Sequence, residues 1–336
     1  MKAKIALLNN YPIYDAANRI ALGEYPAQHV WGMWELRTDF EWLYAHSSLS
    51  SVTASRPRLK NLARKLLPLI GDPIQSAFVL RRIRQIDAIY AADQQTATGL
   101  LLLRALRLIK TPIFVVIHNG PRLRWTWKLL RAASGVFTLS PAATKLAHRK
   151  LPHTPTRMLT FGPSLDSPVY TNADGDAKDF DFVAAGKSNR DYVDLHAVAG
   201  AAGLTGVIIS GSKIFHYTRG KCVVTSDTNL NYSEILAYIR RSRWSVIPVS
   251  DISRLSGLTE AADALAVGTA VLSNSPTSLP YTTNAVKFYA SKDELSLILK
   301  GRGITKDQIA ASADAVSMRH FSIQLKKALD DAVEKR

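Results

Sequence analysis

Two stretches of this chain combine residue types that can hold a diphosphate. In the first, Ala185-Gly186-Lys187-Ser188-Asn189-Arg190-Asp191-Tyr192, an apolar run ends in glycine and two cations follow at a helix start. Glycine lets the backbone approach a ligand closely, a helix N-terminus favours an anion, and Lys187 and Arg190 supply charge. The same residues also suit a turn with solvated basic side chains. In the second stretch, Ser256-Gly257-Leu258-Thr259-Glu260 leads into an apolar helix that Gly268 closes. Free backbone N–H groups at such a helix start can bind phosphate, so Gly257, Leu258 and Thr259 are candidate contacts. Asp263 lies one turn in and could accept hydrogen bonds from a ribose diol. Taken alone, this stretch is better accounted for by an ordinary capped helix with acidic first-turn residues, since such caps are common.

The elements that must position these residues are legible as alternating apolar runs and amphipathic segments. Ile5–Leu8, Asp87–Ala91, Pro112–Ile117 and Gly135–Leu139 read as strands, with helices predicted at His29–Trp42 and Thr98–Ile109 and another opening at Ser140-Pro141. The pattern restarts after Pro168–Lys178, which lacks periodicity and reads as a linker. Strands follow at Phe180–Ala185, Val207–Gly211, Trp244–Val249 and Thr269–Ser273, with helices at His196–Ala202, Tyr232–Ser242, Glu260–Ala266 and Asp307–Lys335. Alternation of this kind predicts parallel sheets covered on both faces. The expectation is two doubly wound Rossmann-like α/β domains facing across a cleft, with ligands at the carboxyl ends of the strands. The predicted bounds are 1–167 and 179–310, with a linker at 168–178 and a final helix over 311–336 that packs back on the first domain.

The 336 residues carry 43 Lys+Arg against 27 Asp+Glu, and the excess is one-sided. Residues 1–165 hold 23 basic and 8 acidic residues, whereas residues 166–336 hold 20 and 19. A field of this kind attracts an anionic partner. Ser55–Asp72 adds a Leu stripe (Leu59, Leu62, Leu66, Leu69) beside Arg58, Arg64 and Lys65, the composition of a helix lying on an anionic membrane. A core-packed helix with a solvated face has the same pattern. The basic stretch lacks recognisable nucleic-acid motifs, so no nucleic acid is expected. The single cysteine, Cys222, excludes a disulfide framework and a cysteine-pair zinc site. The short apolar run after Met1 reads as a buried strand rather than a signal peptide, so the expected location is the cytoplasm, in solution or peripheral on the inner face of the membrane.

The order and spacing of these segments resemble GT-B glycosyltransferases of the family 4 kind. That family ends a strand in Gly-Arg or Gly-Lys and later reads Gly-Leu-x-x-x-Glu-Ala-Met-Ala-x-Gly-x-Pro-Val. This chain has Gly186, Lys187 and Arg190, then Gly257-Leu258-Thr259 and Asp263-Ala264-Leu265-Ala266-Val267-Gly268-Thr269-Ala270-Val271. Val116-Ile117-His118 is similar to the family's strand-end histidine, and Thr160-Phe161-Gly162-Pro163-Ser164-Leu165-Asp166 sits where the family crosses to its second domain. Where the family has two glutamates eight positions apart, this chain has Leu255 and Asp263, and its customary later lysine is Tyr192. The resemblance implies transfer of a sugar from a nucleotide donor to an acceptor hydroxyl with retention at the anomeric carbon. It gives Lys187 and Arg190 to the diphosphate, the amides of Gly257, Leu258 and Thr259 beside them, Asp263 to the ribose and His118 to the donor sugar. It implies no metal and no cofactor beyond the nucleotide-sugar substrate, and an anionic or lipid-linked glycan as acceptor in surface glycan or glycolipid assembly. A catalytically silent protein that binds a nucleotide sugar or scaffolds a pathway is the alternative, and Leu255 favours it.

Overall fold

A computed structural model of the chain describes residues 2–48, 69–121, 123–171, 177–210, 218–219, 222–225 and 230–335. Most of the predicted Ser55–Asp72 helix lies outside the described residues. The chain divides into two compact units, one of Met1–Asn18, His29–Thr160 and Arg319–Arg336, the other of Arg19–Gln28 and Phe161–Met318.

In the first unit, β1 (Lys4–Leu8) is followed by α1 (Ile13–Ala21, counted with the second unit from Arg19), β2 (Glu41–Tyr44), α2 (Pro73–Arg81), β3 (Ala88–Ala91) and α3 (Thr98–Ala105). Then come β4 (Ile113–Ile117), α4 (Arg124–Leu130), β5 (Gly135–Thr138), α5 (Pro141–Lys150) and β6 (Thr156–Met158). The strands form one parallel sheet in the order β2-β1-β3-β4-β5-β6. Ile113, Val115, Ile117 and Val136 share a core with Leu100 and Leu101 of α3 and Leu129 and Leu130 of α4. Caps start the helices where the sequence supplies them. Asp72 accepts from the amides of Ile74 and Gln75, and Ser140 from that of Ala143, each ahead of a proline in the first turn.

The helix predicted at His29–Trp42 is absent. Trp31 and Gly32 both have positive φ, 56° and 87°, so the chain turns repeatedly before emerging as strand β2. Val30, Met33 and Leu36, three residues apart, are buried, so the apolar pattern reports burial and not helix.

The second unit contains α6 (Pro168–Thr171), β7 (Phe180–Gly186), α7 (Tyr192–Ala202), β8 (Gly206–Ser210), β9 (Thr218–Arg219) and β10 (Cys222–Thr225). It continues with α8 (Tyr232–Arg240), β11 (Ser242–Ile247), α9 (Leu258–Ala266), β12 (Ala270–Ser273), β13 (Val286–Phe288), α10 (Lys292–Lys300) and α11 (Lys306–Ala315). Its sheet runs β13-β12-β11-β7-β8-β10-β9, and among the described strands only β9 and β10 pair antiparallel. The last helix, α12 (Met318–Glu334), belongs from Arg319 onward to the first unit. The segment expected to be one helix from Asp307 is therefore two, broken at Val316-Ser317.

The expected linker opens inside the second unit. Pro168–Thr171 is helical, and Val169 and Tyr170 are buried. The passage between units falls earlier, at Thr160–Phe161. No described helix is long and apolar enough to cross a membrane.

Candidate functional site

The sheet of the second unit reverses its winding between β7 and β11. From β7 the chain moves outward through β8, then returns to the other side of β7 as β11 and moves on to β12. The loops leaving the carboxyl ends of two such strands diverge and leave a crevice, the usual ligand position in an open α/β sheet. After β7 that loop is Gly186–Arg190, and after β11 it is Pro248–Gly257. At their bases the two loops are joined. The Asp191 amide donates to Pro248 O at 2.8 Å, the Asp251 amide to Asn189 Oδ1 at 2.7 Å, and Asn189 Nδ2 to Asp251 O at 3.1 Å.

Arg190 holds this junction together. Its Nη2 lies 2.5 Å from Glu260 Oε1, and its Nη1 donates to Ser256 Oγ at 2.8 Å and to the carbonyls of Ser188 and Asn189. The Arg190 side chain is only 4% exposed. Its Nε is buried with no partner among the described residues. Gly186 packs directly against this pair, since a Cβ there would stand 2.7 Å from Glu260 Oε1 and 2.9 Å from Arg190 Nε. Tyr192 donates its hydroxyl to Gly186 O at 2.9 Å and is buried, so it closes the turn from below. Burial pushes the Tyr192 hydroxyl pKa far upward, so it stays a neutral donor. Arg190 is thus not a free cation on a solvated turn. Lys187, in contrast, is exposed.

Helix α9 begins beside this cluster. Gly257 precedes it at φ 89°, and no side chain caps it. The first amides, those of Leu258 and Thr259, have no intrahelical acceptor, and the helix dipole adds a partial positive charge there. Thr259 Oγ1 donates to Glu260 Oε2 at 2.9 Å, which fixes the other carboxylate oxygen. Gly186, Lys187, Arg190, Gly257, Leu258 and Thr259, predicted separately, therefore come together. At this crevice the Arg190 guanidinium is already engaged by Glu260, and the start of α9 carries no side-chain cap.

Asp263 is placed differently from the expectation. It is 5% exposed, and its carboxylate is consumed inside the unit. Oδ1 accepts from Gln28 Nε2 at 2.8 Å and from the Tyr170 hydroxyl at 2.7 Å, and Oδ2 accepts a short bond from the Tyr232 hydroxyl. Gln28 in turn accepts from the Ser164 amide at 3.3 Å. A carboxylate with these donors around it ties α9 to α8, α6 and the segment before Val30, and a ribose diol would have to displace them. Burial raises the Asp263 pKa to about 7, against the lowering effect of the bonds from Tyr232 and Tyr170.

That shift has a testable consequence. The folded chain keeps a proton on Asp263 that the unfolded chain loses above pH ~4. This stability contribution is complete below pH ~4, falls as pH rises to about 7, and is flat above that. Asparagine resembles the protonated acid and does not titrate. Urea unfolding from pH 4 to pH 8 will show the unsubstituted chain losing on the order of 4 kcal/mol more than Asp263→Asn. Parallel pH curves for the two proteins would contradict the buried, proton-holding carboxylate.

In the first unit the winding reverses between β1 and β3, and polar residues gather at the carboxyl ends there. His118, just past β4, donates from Nε2 to Ala92 O at 2.7 Å, which leaves Nδ1 as the ring's acceptor. The Trp31 ring lies 4.6 Å from the imidazole centroid. Asp93 beside it is buried, accepts from Asn10 Nδ2 at 2.8 Å, and has its pKa raised by burial against the lowering effect of His118. Asn10, Trp31 and Asp93 were not singled out from sequence. The signal available was their place: Asn10 and Asp93 each stand two residues beyond a strand.

No family model matches the chain, and no curated protein matches it. Solved structures do. A sucrose-phosphate synthase from Thermosynechococcus elongatus matches with a TM-score of 0.61 over 100% of both chains at 13% identity. A UDP-forming trehalose-phosphate synthase from Burkholderia xenovorans gives 0.64 over 99% of each chain at 11% identity. Anabaena HepE, solved with UDP and glucose, gives 0.60 over 98% of this chain and 100% of its own at 11% identity. At such identities the likeness is one of fold: two Rossmann-like α/β units of the GT-B glycosyltransferase kind.

Proposed function

We propose that this chain is a glycosyltransferase that moves a sugar from a nucleotide-diphosphate sugar to an acceptor hydroxyl, with retention at the anomeric carbon. The observation that carries the reading is the crevice between β7 and β11, where the glycine turn, Lys187, Arg190 and the uncapped start of α9 converge. The fold it shares with proteins solved with UDP or UDP-glucose supports the nucleotide-sugar class.

When the bond from the anomeric carbon to the diphosphate breaks, negative charge grows on the leaving phosphate oxygen. Preorganised donors aimed at that oxygen lower the barrier. In this reading Lys187 and the amides of Leu258 and Thr259 take this role. Arg190 contributes fully only if the diphosphate displaces Glu260 from its guanidinium. His118 is assigned to the donor sugar, with Nδ1 as a hydrogen-bond acceptor for a sugar hydroxyl. Asp263 is left out of the donor contacts because its oxygens are already occupied.

Glu260 gives the silent-binder reading a specific footing, since it neutralises the cation that would hold the leaving group. Release of nucleoside diphosphate separates the two. With UDP-, GDP-, ADP- and TDP-sugars, release well above the buffer rate supports the transferase. Binding without release supports a silent binder. Neither binding nor release with any of these donors would overturn the donor crevice itself.

The acceptor in this reading is an anionic or lipid-linked glycan used in surface glycan or glycolipid assembly. Between Arg56 and Arg157 there are 19 basic and 3 acidic residues. Such a block draws an anionic acceptor, or the inner membrane face that carries it, to the first unit. Flotation with anionic vesicles at moderate salt is expected to carry the protein upward. Protein remaining at the bottom of the gradient would exclude the membrane part of the proposal.

A further inference from the structure

Polar and aromatic side chains converge where the winding of the first sheet reverses, at the carboxyl ends of β1 and β3, the position at which an open α/β sheet takes a ligand. Asn10 stands two residues past β1, Asp93 two past β3, and His118 directly past β4. Asn10, Trp31 and His118 are each half-buried, so none of the three is sealed from solvent.

The loop that presents Asn10 is fixed from below. The Asn9 amide donates to Gln75 Oε1 at 3.2 Å, and Gln75 Nε2 returns a bond to Asn9 O at 2.7 Å. Asp93 then receives Asn10 Nδ2 on Oδ2 at 2.8 Å and the Gln95 amide on Oδ1 at 2.7 Å. The bond to Asp93 uses one N–H of the Asn10 carboxamide. Its Oδ1 and second N–H have no partner among the described residues.

Trp31 is held here at a cost. Its φ of 56° lies in the left-handed region, where a bulky residue is an outlier. Two contacts impose it. The fully buried Tyr90 donates its hydroxyl to Trp31 O at 3.2 Å. Gly32 lies so close to α12 that an added Cβ would stand 3.2 Å from Leu325 Cδ2 and 3.3 Å from Phe321 Cδ1. The result is an indole set against the His118 imidazole, ring centroids 4.6 Å apart at 51°. Strained conformations of this kind cluster at ligand sites.

The chemistry selects the ligand. A pyranose carries hydroxyls around its edge and C–H groups on its faces. The hydroxyls suit a carboxamide that both donates and accepts, together with the His118 Nδ1 acceptor. A C–H face suits the negative π face of an indole. The one carboxylate in the group is Asp93, and no Lys or Arg stands with it, so an anionic sugar would find no cation to pair with.

We propose that Asn10, Trp31 and His118 hold an uncharged pyranose unit, and that Asp93 positions Asn10 for it. This rests on the glycosyltransferase reading, in which His118 serves the donor sugar, and adds the class of sugar and two residues that touch it. The pyranose is the sugar of the donor or the accepting unit of the glycan, whose anionic groups then lie away from this crevice.

Saturation-transfer NMR titration of the whole chain tests it. The probes are the methyl glycosides of glucose, galactose, mannose, N-acetylglucosamine and glucuronic acid, each alone and with UDP, GDP, ADP or TDP. At least one neutral glycoside will bind, and the glucuronoside will bind about fivefold more weakly or worse. Asn10→Ala and Trp31→Gly will each weaken the neutral glycoside by roughly fivefold or more, the size of one lost contact, and Asn10→Ala will do so without lowering Tm. Glycine adopts φ 56° without strain, so Trp31→Gly is expected to fold; should it not, Asn10→Ala decides alone. Asp93→Asn, which can still accept from Asn10, will keep the affinity, whereas Asp93→Leu will lose as much as Asn10→Ala. A glycoside displaced by UDP-glucose or its GDP, ADP or TDP counterpart marks the donor-sugar position, and one that binds beside it marks the acceptor position; both support the site. Glycoside binding with no nucleotide binding would sustain the site and remove the glycosyltransferase reading. Nucleotide binding with no glycoside binding under any of these conditions would overturn the site and leave the donor crevice standing. Equal affinity for glucoside and glucuronoside, or unchanged binding in Asn10→Ala, would also overturn it.

Discussion

Alanine at Arg190 is expected to lower donor turnover by 10²–10³-fold and to destabilise the second unit at the same time. The sequence alone suggests a loss of activity far larger than any loss of stability, since a solvated turn cation is removed at little structural cost. The structure changes that expectation. The guanidinium is 4% exposed, pairs with Glu260 at 2.5 Å, and holds Ser256 and two carbonyls of its own loop. Removing one partner of a buried pair strands the other charge, at about 3–5 kcal/mol. Glu260 is 21% exposed, so water screens part of that and about 2–3 kcal/mol is the better expectation. The catalytic loss has the size seen when a single fixed donor to a developing oxyanion is removed. Glu260→Gln separates the two roles. It leaves Arg190 in place with its charge unopposed, so affinity for a nucleoside diphosphate should rise several-fold. Steady-state kinetics and urea unfolding on both variants check this. Normal turnover in Arg190→Ala would remove Arg190 from the donor site, and unchanged stability would remove it as the junction between loops.

Alanine at Gly162 is expected to give the largest loss of stability among the glycine substitutions considered. A Cβ there would stand 1.7 Å from Val316 O and 2.6 Å from Val316 C. Both are backbone atoms, and neither can rotate away. The flanking bonds hold the strands of chain in that register: Met318 donates to Pro163 O at 2.9 Å, and the Tyr281 hydroxyl donates a short bond to Phe161 O. Relief requires the Phe161–Pro163 segment to lift off Val316–Met318, which breaks both. A loss of about 3 kcal/mol or more, or failure to fold, follows from overpacking of this kind. Gly303→Ala is the control, because nothing lies within 4 Å of its added Cβ. Urea midpoints should be nearly unchanged for Gly303→Ala and sharply lower for Gly162→Ala. Equal midpoints would mean that the close approach at Val316 yields easily.

Much of the fold was legible because buried parallel strands are continuous apolar runs. Ile113–Ile117, Val207–Ile209 and Ala270–Ser273 are such runs, and the loops at their carboxyl ends could be named from sequence. The Gly186–Arg190 loop and the α9 start were legible for the same reason. Strand β2 was not, because Glu41–Tyr44 is only partly buried and follows a turn-rich stretch whose spacing imitates a helix. The partners of the site residues were not legible either. Arg190 and Glu260 are 70 positions apart, and Asp263 is 93 from Tyr170 and 235 from Gln28. A single sequence marks each as a polar residue and carries no signal of which other it meets. The ribose assignment for Asp263 came from a position in a pattern, and only burial reveals that its oxygens face inward.

The crevice between β7 and β11 is proposed to hold a nucleoside diphosphate. Calorimetric titration of UDP, GDP, ADP and TDP into the folded chain and into Gly186→Ala tests it most directly, because a Cβ at Gly186 intrudes on Arg190 and Glu260 without removing either charge. One of the four is expected to bind at a single site, and Gly186→Ala to weaken it at least tenfold. Absence of binding by all four at millimolar concentration, or equal affinity in Gly186→Ala, would contradict it.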